Sequence, residues 1–119
     1  MNPLRTIAMI FKTAIPALIC AFLFIGASAA ADVDADAAQA LAKKSGCLKC
    51  HAIDKKREGP AFNVTAAKYK GKAGAEDALY KHLTTSPKVK VDGVEETHDS
   101  PKTKDEKEIR NLVRWILTR

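Results

Sequence analysis

The segment of this chain that can carry redox chemistry reads Cys-Leu-Lys-Cys-His, at residues 47–51. Two thiols three residues apart lie on one helical turn, where they can add to the two vinyl groups of a porphyrin. The imidazole of His51 comes next in the chain and can bind the porphyrin iron as its proximal ligand. The sequence therefore predicts one haem c, attached covalently through Cys47 and Cys50 and ligated by His51.

The spacing of the two cysteines alone is also compatible with a disulfide pair or with half of a zinc site. A four-ligand zinc site needs a second Cys/His cluster, and the two remaining histidines, His82 and His98, are isolated in the sequence. A thioredoxin-like disulfide needs a βαβ context, which the pattern does not indicate. The adjoining His51 and an upstream export signal favour haem attachment over both alternatives.

Residues 1–31 have the three parts of a secretory signal peptide. Arg5 and Lys12 supply the positive region, residues 14–26 form the apolar run, and residues 27–31 offer small side chains for cleavage. An export signal of this kind predicts that the protein reaches the periplasm.

An uncleaved membrane anchor is the alternative interpretation of the same segment. Its apolar run is short for a span of about 20 residues, and Pro16 interrupts it. We therefore expect cleavage near residue 31, no stable membrane insertion afterwards, and one haem-binding domain over residues 32–119.

The chain is basic, with 20 Lys and Arg residues against 14 Asp and Glu residues and a formal net charge of +6. An ordinary solvated surface is one interpretation. A docking face for an acidic redox partner is the other, because opposite charge raises the rate of encounter. Nucleic acid is not expected as a partner, since no aromatic residues interleave with the basic ones. No pattern in the sequence indicates an oligomeric state. The basic clusters lie at residues 43–44, 55–57 and 68–72.

Apolar spacing and cap residues predict an all-α domain with about four helices and essentially no sheet. Asn63 is predicted to cap the second helix, and Thr103 with Glu106 to form a capping box for the last. Either Asp34 or Asp36 is expected to cap the first. The helices are expected at about residues 36–49, running into the haem motif, and at 64–69, 75–84 and 104–118.

A polar segment, residues 86–102, separates the last two predicted helices and contains Pro87, Gly93 and Pro101. Segments of this length without regular structure are usually functional or disordered. We expect an irregular loop that covers the second face of the haem.

Several segments, the first of which contains the motif, complete a recognisable pattern, namely residues 46–54, 59–62, 66–69, 74–76 and 115–117. Together they resemble the class I c-type cytochromes of the short bacterial type, which are small periplasmic electron carriers. The resemblance covers nearly all of the chain after residue 31. It implies a small class I cytochrome c fold wrapped around one covalently attached haem, and single-electron transfer between redox proteins rather than enzymatic catalysis.

The resemblance also implies roles for residues outside the motif. In such cytochromes a backbone carbonyl accepts the outer ring N–H of the proximal histidine, which fixes the tautomer of that ligand. Pro60 is the candidate acceptor here, although Gly59-Pro60 could equally be a simple turn. His82 is expected to reach a haem propionate. Trp115 is expected to pack near the N-terminal helix and is counted among the cofactor-binding residues.

The distal ligand is where the chain departs from this family, which normally supplies a methionine before the last helix. The chain has two methionines, Met1 and Met9, and both fall in the predicted signal peptide. His98 is therefore the predicted distal ligand, because imidazole binds haem iron well. Asp99 or Glu96 is expected to accept its second N–H.

Other occupants of the sixth iron position remain open: no protein ligand or a water, a lysine (Lys88, Lys90 or Lys102), or His82. With His98 bound, the redox potential should be lower than in relatives with a methionine ligand. The leading interpretation is a periplasmic monohaem electron carrier. The alternatives are a haem protein that binds or senses NO, CO or O₂, and a haem subunit of a larger redox complex.

Overall fold

The computed structural model describes residues 32–119. The predicted signal peptide, with its membrane-anchor alternative and both methionines, lies outside the described residues. Within them, no helix is long and apolar enough to cross a membrane. The elements in chain order are α1 (Ala35–Lys44), α2 (Cys47–Cys50), α3 (Phe62–Tyr69), α4 (Ala75–Thr84), β1 (Lys88–Val91), β2 (Val94–Thr97) and α5 (Glu106–Leu117).

Two helical segments replace the single first helix expected from the sequence. Asp34 caps α1, with its side chain accepting a 2.9 Å hydrogen bond from the amide of Ala37. The helix then ends at Lys44, with Ser45 as its C-cap, because Gly46 adopts a left-handed conformation with φ of 80°. The haem motif therefore begins a separate turn, α2, whose orientation is independent of the axis of α1.

The caps predicted for α3 and α5 are wrong in detail. Helix α3 begins at Phe62, with no side-chain cap, so Asn63 lies inside its first turn. Helix α5 is capped by Asp105, whose carboxylate accepts from the amides of Lys107 (2.8 Å) and Glu108 (3.4 Å). The hydroxyl of Thr103 accepts from the amide of Asp105 at 3.1 Å instead. Asp105 directly precedes the helix, two residues after Thr103, and its carboxylate suits the positive end of the helix dipole.

The expectation of essentially no sheet is wrong, because β1 and β2 form an antiparallel hairpin. Val91 pairs with Val94 across a two-residue loop, Asp92-Gly93. Both loop residues have positive φ, 50° and 86°, which is the geometry of a type I′ hairpin turn. The segment predicted to be an irregular loop is therefore partly a hydrogen-bonded strap.

The hydrophobic core forms where α1, α3 and α4 pack against α5. Three large side chains of α5 are almost fully buried: Leu112, Val113 and Trp115. The Trp115 ring meets the ring of Phe62 on α3 edge-on, with 5.6 Å between the centroids. Aromatic pairs of this geometry add about 0.5–1.5 kcal/mol to the burial of their surfaces. Helix α5 thus forms the surface on which α3, next to the haem motif, packs.

Ion pairs fix α4 against α5. The guanidinium of Arg110 lies 3.0 Å from Asp77 and 3.3 Å from Glu76, both in the first turn of α4. Hydrogen bonds to Glu106 and then to these two carboxylates raise the pKa of Arg110 above its ordinary value. The same guanidinium stacks 4.5 Å from the ring centre of Tyr80. Helix α4, which carries His82, is therefore held by charge contacts as well as by its buried leucines.

Candidate haem site

The two thiols of the motif sit on α2 at the surface of the domain, and neither is in a disulfide. Cys47 is the more buried of the two, and burial raises the pKa of its thiol. Cys50 donates a 3.2 Å hydrogen bond to the carboxylate of Glu58, and this bond raises the pKa of the Cys50 thiol. The arrangement leaves both sulfur atoms available for thioether bonds on one turn. No role for Glu58 is predicted from the sequence.

His51 is held from three sides. Its Nδ1 lies 2.7 Å from the carbonyl oxygen of Pro60, so Nδ1–H donates and Nε2 is left free to bind iron. The ring of Phe62 stacks on it with a centroid distance of 5.3 Å and an interplanar angle of 17°. A Cβ atom at Gly59 would lie 2.4 Å from Cε1 of His51. Only glycine fits at that position without moving the imidazole.

His98 follows directly after β2, at the base of the hairpin. Its amide donates to the carbonyl of Pro87 at 2.9 Å, and the hydroxyls of Ser86 and Ser100 lie 2.7 Å apart just outside this bond. These contacts close the hairpin base. The ring of the half-buried His98 faces His51, with 6.1 Å between the ring centroids and 50° between the planes.

The separation of these two rings fits an iron ion between them. An imidazole nitrogen binds a transition metal at about 2 Å and lies about 1 Å from its own ring centre, so two opposed ligands have centroids roughly 6 Å apart. Nδ1 of His98 is also buried without a hydrogen-bond partner among residues 32–119. Buried polar atoms nearly always have a hydrogen-bond partner. The unpartnered Nδ1 of His98 is therefore consistent with a bound group that contacts this nitrogen or the His98 ring.

The carboxylate acceptor expected for His98 is not found. Asp99 and Glu96 are both exposed, and neither accepts from Nδ1 of His98. Glu96 belongs to β2, where it pairs with Val89 and is open to solvent. Unlike His51, His98 therefore has no protein acceptor within the described part of the chain.

His82 lies against His98. The two ring centroids are 4.8 Å apart and the planes are tilted by 63°, an edge-to-face contact. Burial, and then the neighbouring charges of His98 and Lys68, lower the pKa of His82. Burial likewise lowers the pKa of His98, which favours the neutral imidazole that metals require. Nothing in the sequence pattern pointed to a contact between His82 and His98.

Trp115 is placed behind the site rather than in contact with His51. It touches Phe62, which in turn stacks on His51. Phe62 lies in a segment that carries the family resemblance, residues 59–62, but no role is predicted for it from the sequence. An aromatic residue two positions after Pro60 could have suggested one. The three lysines considered as distal ligands are exposed: Lys88, whose Nζ donates to Thr97 Oγ1 at 3.0 Å, Lys90 and Lys102.

Among residues 32–119, no group of three or more His, Cys, Asp or Glu side chains is arranged to hold a metal ion. The zinc interpretation of the cysteine pair therefore lacks the further ligands that it needs in this part of the chain. A Cys-x-x-Cys turn, a fixed adjacent histidine and a small helical domain define instead a protein that carries one haem covalently.

The chain belongs to the cytochrome c family, because residues 35–119 match the family model described as Cytochrome c. Cytochrome c-551 of Pseudomonas aeruginosa is 31% identical over 103 residues, which cover 87% of this chain and 96% of that protein. Cytochrome c-551 of Azotobacter vinelandii is 38% identical over 81 residues, which cover 66% of this chain and 92% of that protein.

Solved structures agree with the fold. The crystal structure of the class 1 cytochrome MtoD from Sideroxydans lithotrophicus ES-1 is 45% identical and covers 73% of this chain and 97% of its own, with a TM-score of 0.71. Wild-type cytochrome c552 from Nitrosomonas europaea is 29% identical and covers 67% and 96%, with a TM-score of 0.54.

These findings confirm a small class I cytochrome c fold, and the structure is mostly helical with one short hairpin. They also confirm one covalently attached haem c, for which Cys47 and Cys50 provide the cysteine pair. Cytochromes c transfer electrons and act with other redox proteins, and the chain shares that general function.

Proposed function

We propose that this protein is a periplasmic electron carrier, and not an enzyme, whose haem iron is bound by His51 on one face and His98 on the other. The observation that carries the proposal is the 6.1 Å separation of the two facing imidazoles. The chain between them leads from α2 through α3, α4 and the hairpin and back to the same site.

When bound, the haem supplies a one-electron couple between ferrous and ferric iron. The chain supplies the iron ligands, buries the haem and controls access to it. His51 is locked by Pro60, Phe62 and Gly59, so its ring keeps one orientation in both oxidation states. His98 closes the other side from the hairpin. Imidazole lacks the potential-raising effect of a methionine thioether, so the carrier serves partners of lower potential than its methionine-ligated relatives.

The proposal also includes export of the protein to the periplasm. Residues 1–31 act as a signal peptide that is removed, and residues 32–119 form the mature haem domain. Cleavage also removes Met1 and Met9, so a thioether from this chain cannot reach the iron afterwards. Mass spectrometry of the protein from the periplasmic fraction tests this step. A mass that includes residues 1–31 would favour the membrane anchor instead.

The partner docks, in this proposal, on the surface that surrounds the haem motif. Leu48 is 38% exposed and Ile53 is 44% exposed, which offers an apolar centre. Arg57 lies beside them, donating to the carbonyl of Leu48 at 3.1 Å. Lys55 and Lys56 precede it in the same exposed loop. An apolar centre with a basic rim fits an acidic redox protein.

Charge reversal tests the docking surface with a defined probe. The double variant Lys55→Glu/Lys56→Glu should be oxidised more slowly by the trianion hexacyanoferrate(III) at low salt, and the difference should shrink at high salt. Lys70→Glu/Lys72→Glu is the matched control, because these lysines line a different groove beside Arg119. Equal slowing by both pairs would show that only net charge matters.

A gas-binding function is the second candidate, and one observation favours it. The distal imidazole has no hydrogen-bond acceptor for its buried Nδ1 within residues 32–119. A ligand without such support is less basic and is more readily displaced. Ferrous protein that binds CO rapidly at micromolar concentration would favour this candidate, whereas a spectrum unmoved by CO favours the carrier.

The decisive experiment compares ferric and ferrous spectra of the wild-type holoprotein with those of His98→Ala. Loss of the low-spin spectrum in the variant is the expected result. Lys90→Ala, on the same hairpin, is the control and should retain the wild-type spectrum. If His98→Ala keeps the wild-type spectra in both oxidation states, His98 is not the ligand and the ligation proposal fails.

A further inference from the structure

The two histidines that face each other are held by different means. His51 has a 2.7 Å hydrogen bond to Pro60 and a stacked Phe62. His98 has neither an acceptor for Nδ1 among residues 32–119 nor a parallel ring stacked against it. Hydrogen bonds normally fix the ring orientation of a ligating histidine. Something else must therefore limit rotation of the His98 ring.

His82 is the side chain in position to do this. Its ring meets the His98 ring edge-to-face at 4.8 Å between centroids, which is a favourable geometry for two π systems. His82 comes from the last turn of α4, whose Leu79 and Leu83 are buried in the core. It thus projects from a fixed helix, whereas His98 projects from the base of an exposed hairpin.

We propose that His82 is a positioning residue for His98, setting the angle of the distal ring and holding it towards His51 by ring packing. The proposal rests on the proposed ligation of iron by His98. It assigns to His82 a task separate from the propionate contact that the family resemblance implies. The essential property is an aromatic ring at this position, not a polar atom.

Three substitutions in the haem-loaded protein separate these properties. His82→Phe keeps a ring and removes both nitrogens, His82→Gln keeps polarity and removes the ring, and His82→Ala removes both. Lys81→Ala, at the exposed neighbouring position of α4, is the control. The readouts are the apparent CO affinity of the ferrous protein and the g-values of the ferric protein by electron paramagnetic resonance.

CO must displace the distal ligand, so loosening His98 raises the apparent affinity for CO. From the usual strength of an aromatic pair, we expect an increase of about 2- to 12-fold in His82→Ala and His82→Gln. Their g-values should also shift, because the angle between the axial rings is no longer held. His82→Phe and Lys81→Ala should match the wild type in both measurements.

The opposite pattern overturns the proposal. Wild-type behaviour of His82→Gln, with altered behaviour of His82→Phe, would mean that a polar contact rather than ring packing is the role of His82. Wild-type behaviour of both His82→Ala and His82→Gln would mean that His82 does not position His98. The spectra of His98→Ala test the ligation itself, so its failure is distinguishable from a failure of this inference alone.

Discussion

Gly59 offers the sharpest test of how the proximal side of the site is built. An alanine methyl at this position would lie 2.4 Å from Cε1, 2.8 Å from Nδ1 and 2.9 Å from Nε2 of His51. Such distances are far inside van der Waals contact, and the obstructing group is a ring fixed by other contacts. Gly59 is not among the glycines with positive φ. The substitution Gly59→Ala therefore acts through this collision and not through backbone strain.

The size of the effect follows from two contributions. Overpacking a fixed site typically costs about 1–3 kcal/mol. Relief of the collision must move the His51 ring, which disturbs the 2.7 Å hydrogen bond to Pro60. A bond of this type contributes about 0.5–1.5 kcal/mol. We expect Gly59→Ala to lower the free energy of unfolding by about 2–4 kcal/mol and to perturb the haem spectrum, since the moved group is an iron ligand.

Urea unfolding of the ferric holoprotein, followed by circular dichroism and by the haem absorption, measures both effects. Gly71→Ala is the matched control, because its Cβ would meet no atom within 4 Å but its φ is +72°. Backbone strain there should cost about 1–2 kcal/mol and leave the haem spectrum unchanged. Wild-type stability and spectrum in Gly59→Ala would refute the account of how His51 is held.

Three further predictions concern the distal side and α5. His98→Met should raise the midpoint potential in spectroelectrochemical titration, since a thioether ligand favours ferrous iron; an unchanged potential would contradict ligation by residue 98. Gly93→Val should weaken the hairpin by about 1–2 kcal/mol, because φ is left-handed there, and amide hydrogen exchange of β1 should accelerate while that of α5 does not. Asp105→Ala should lower thermal stability by about 1 kcal/mol, and Thr103→Ala by less; the reverse order would restore the capping box predicted from the sequence.

Features set by neighbouring residues were predictable from the sequence. The spacing of Cys47, Cys50 and His51 is fixed by one helical turn, so the motif identifies its chemistry without tertiary information. Helix α4 has the bounds that its apolar spacing predicted, Ala75–Thr84. The hairpin was missed for a recognisable reason. Asp92-Gly93 follows the alternating run Lys-Val-Lys-Val and is a strong type I′ signal, but Gly93 was counted only among the residues of an irregular segment.

Features that depend on distant parts of the chain were not predictable in the same way. The contact between His82 and His98 joins α4 to the end of β2, and no local pattern encodes it. The acceptor expected for His98 is not found, because the side chains of Asp99 and Glu96 are both exposed to solvent and neither bonds Nδ1 of His98. Proximity in sequence is thus a poor guide to the surroundings of a ligand on a hairpin.

The hairpin and the missing methionine belong together if His98 binds the iron. A methionine side chain is long and has three rotatable bonds, so it adapts to an approximately placed backbone. Histidine is shorter and stiffer, and its backbone must therefore be placed more accurately. The bond from the His98 amide to Pro87, and the paired hydroxyls of Ser86 and Ser100, provide that placement at the hairpin base. A change of ligand from thioether to imidazole would thus require the ordered strap that the Asp92-Gly93 turn makes possible.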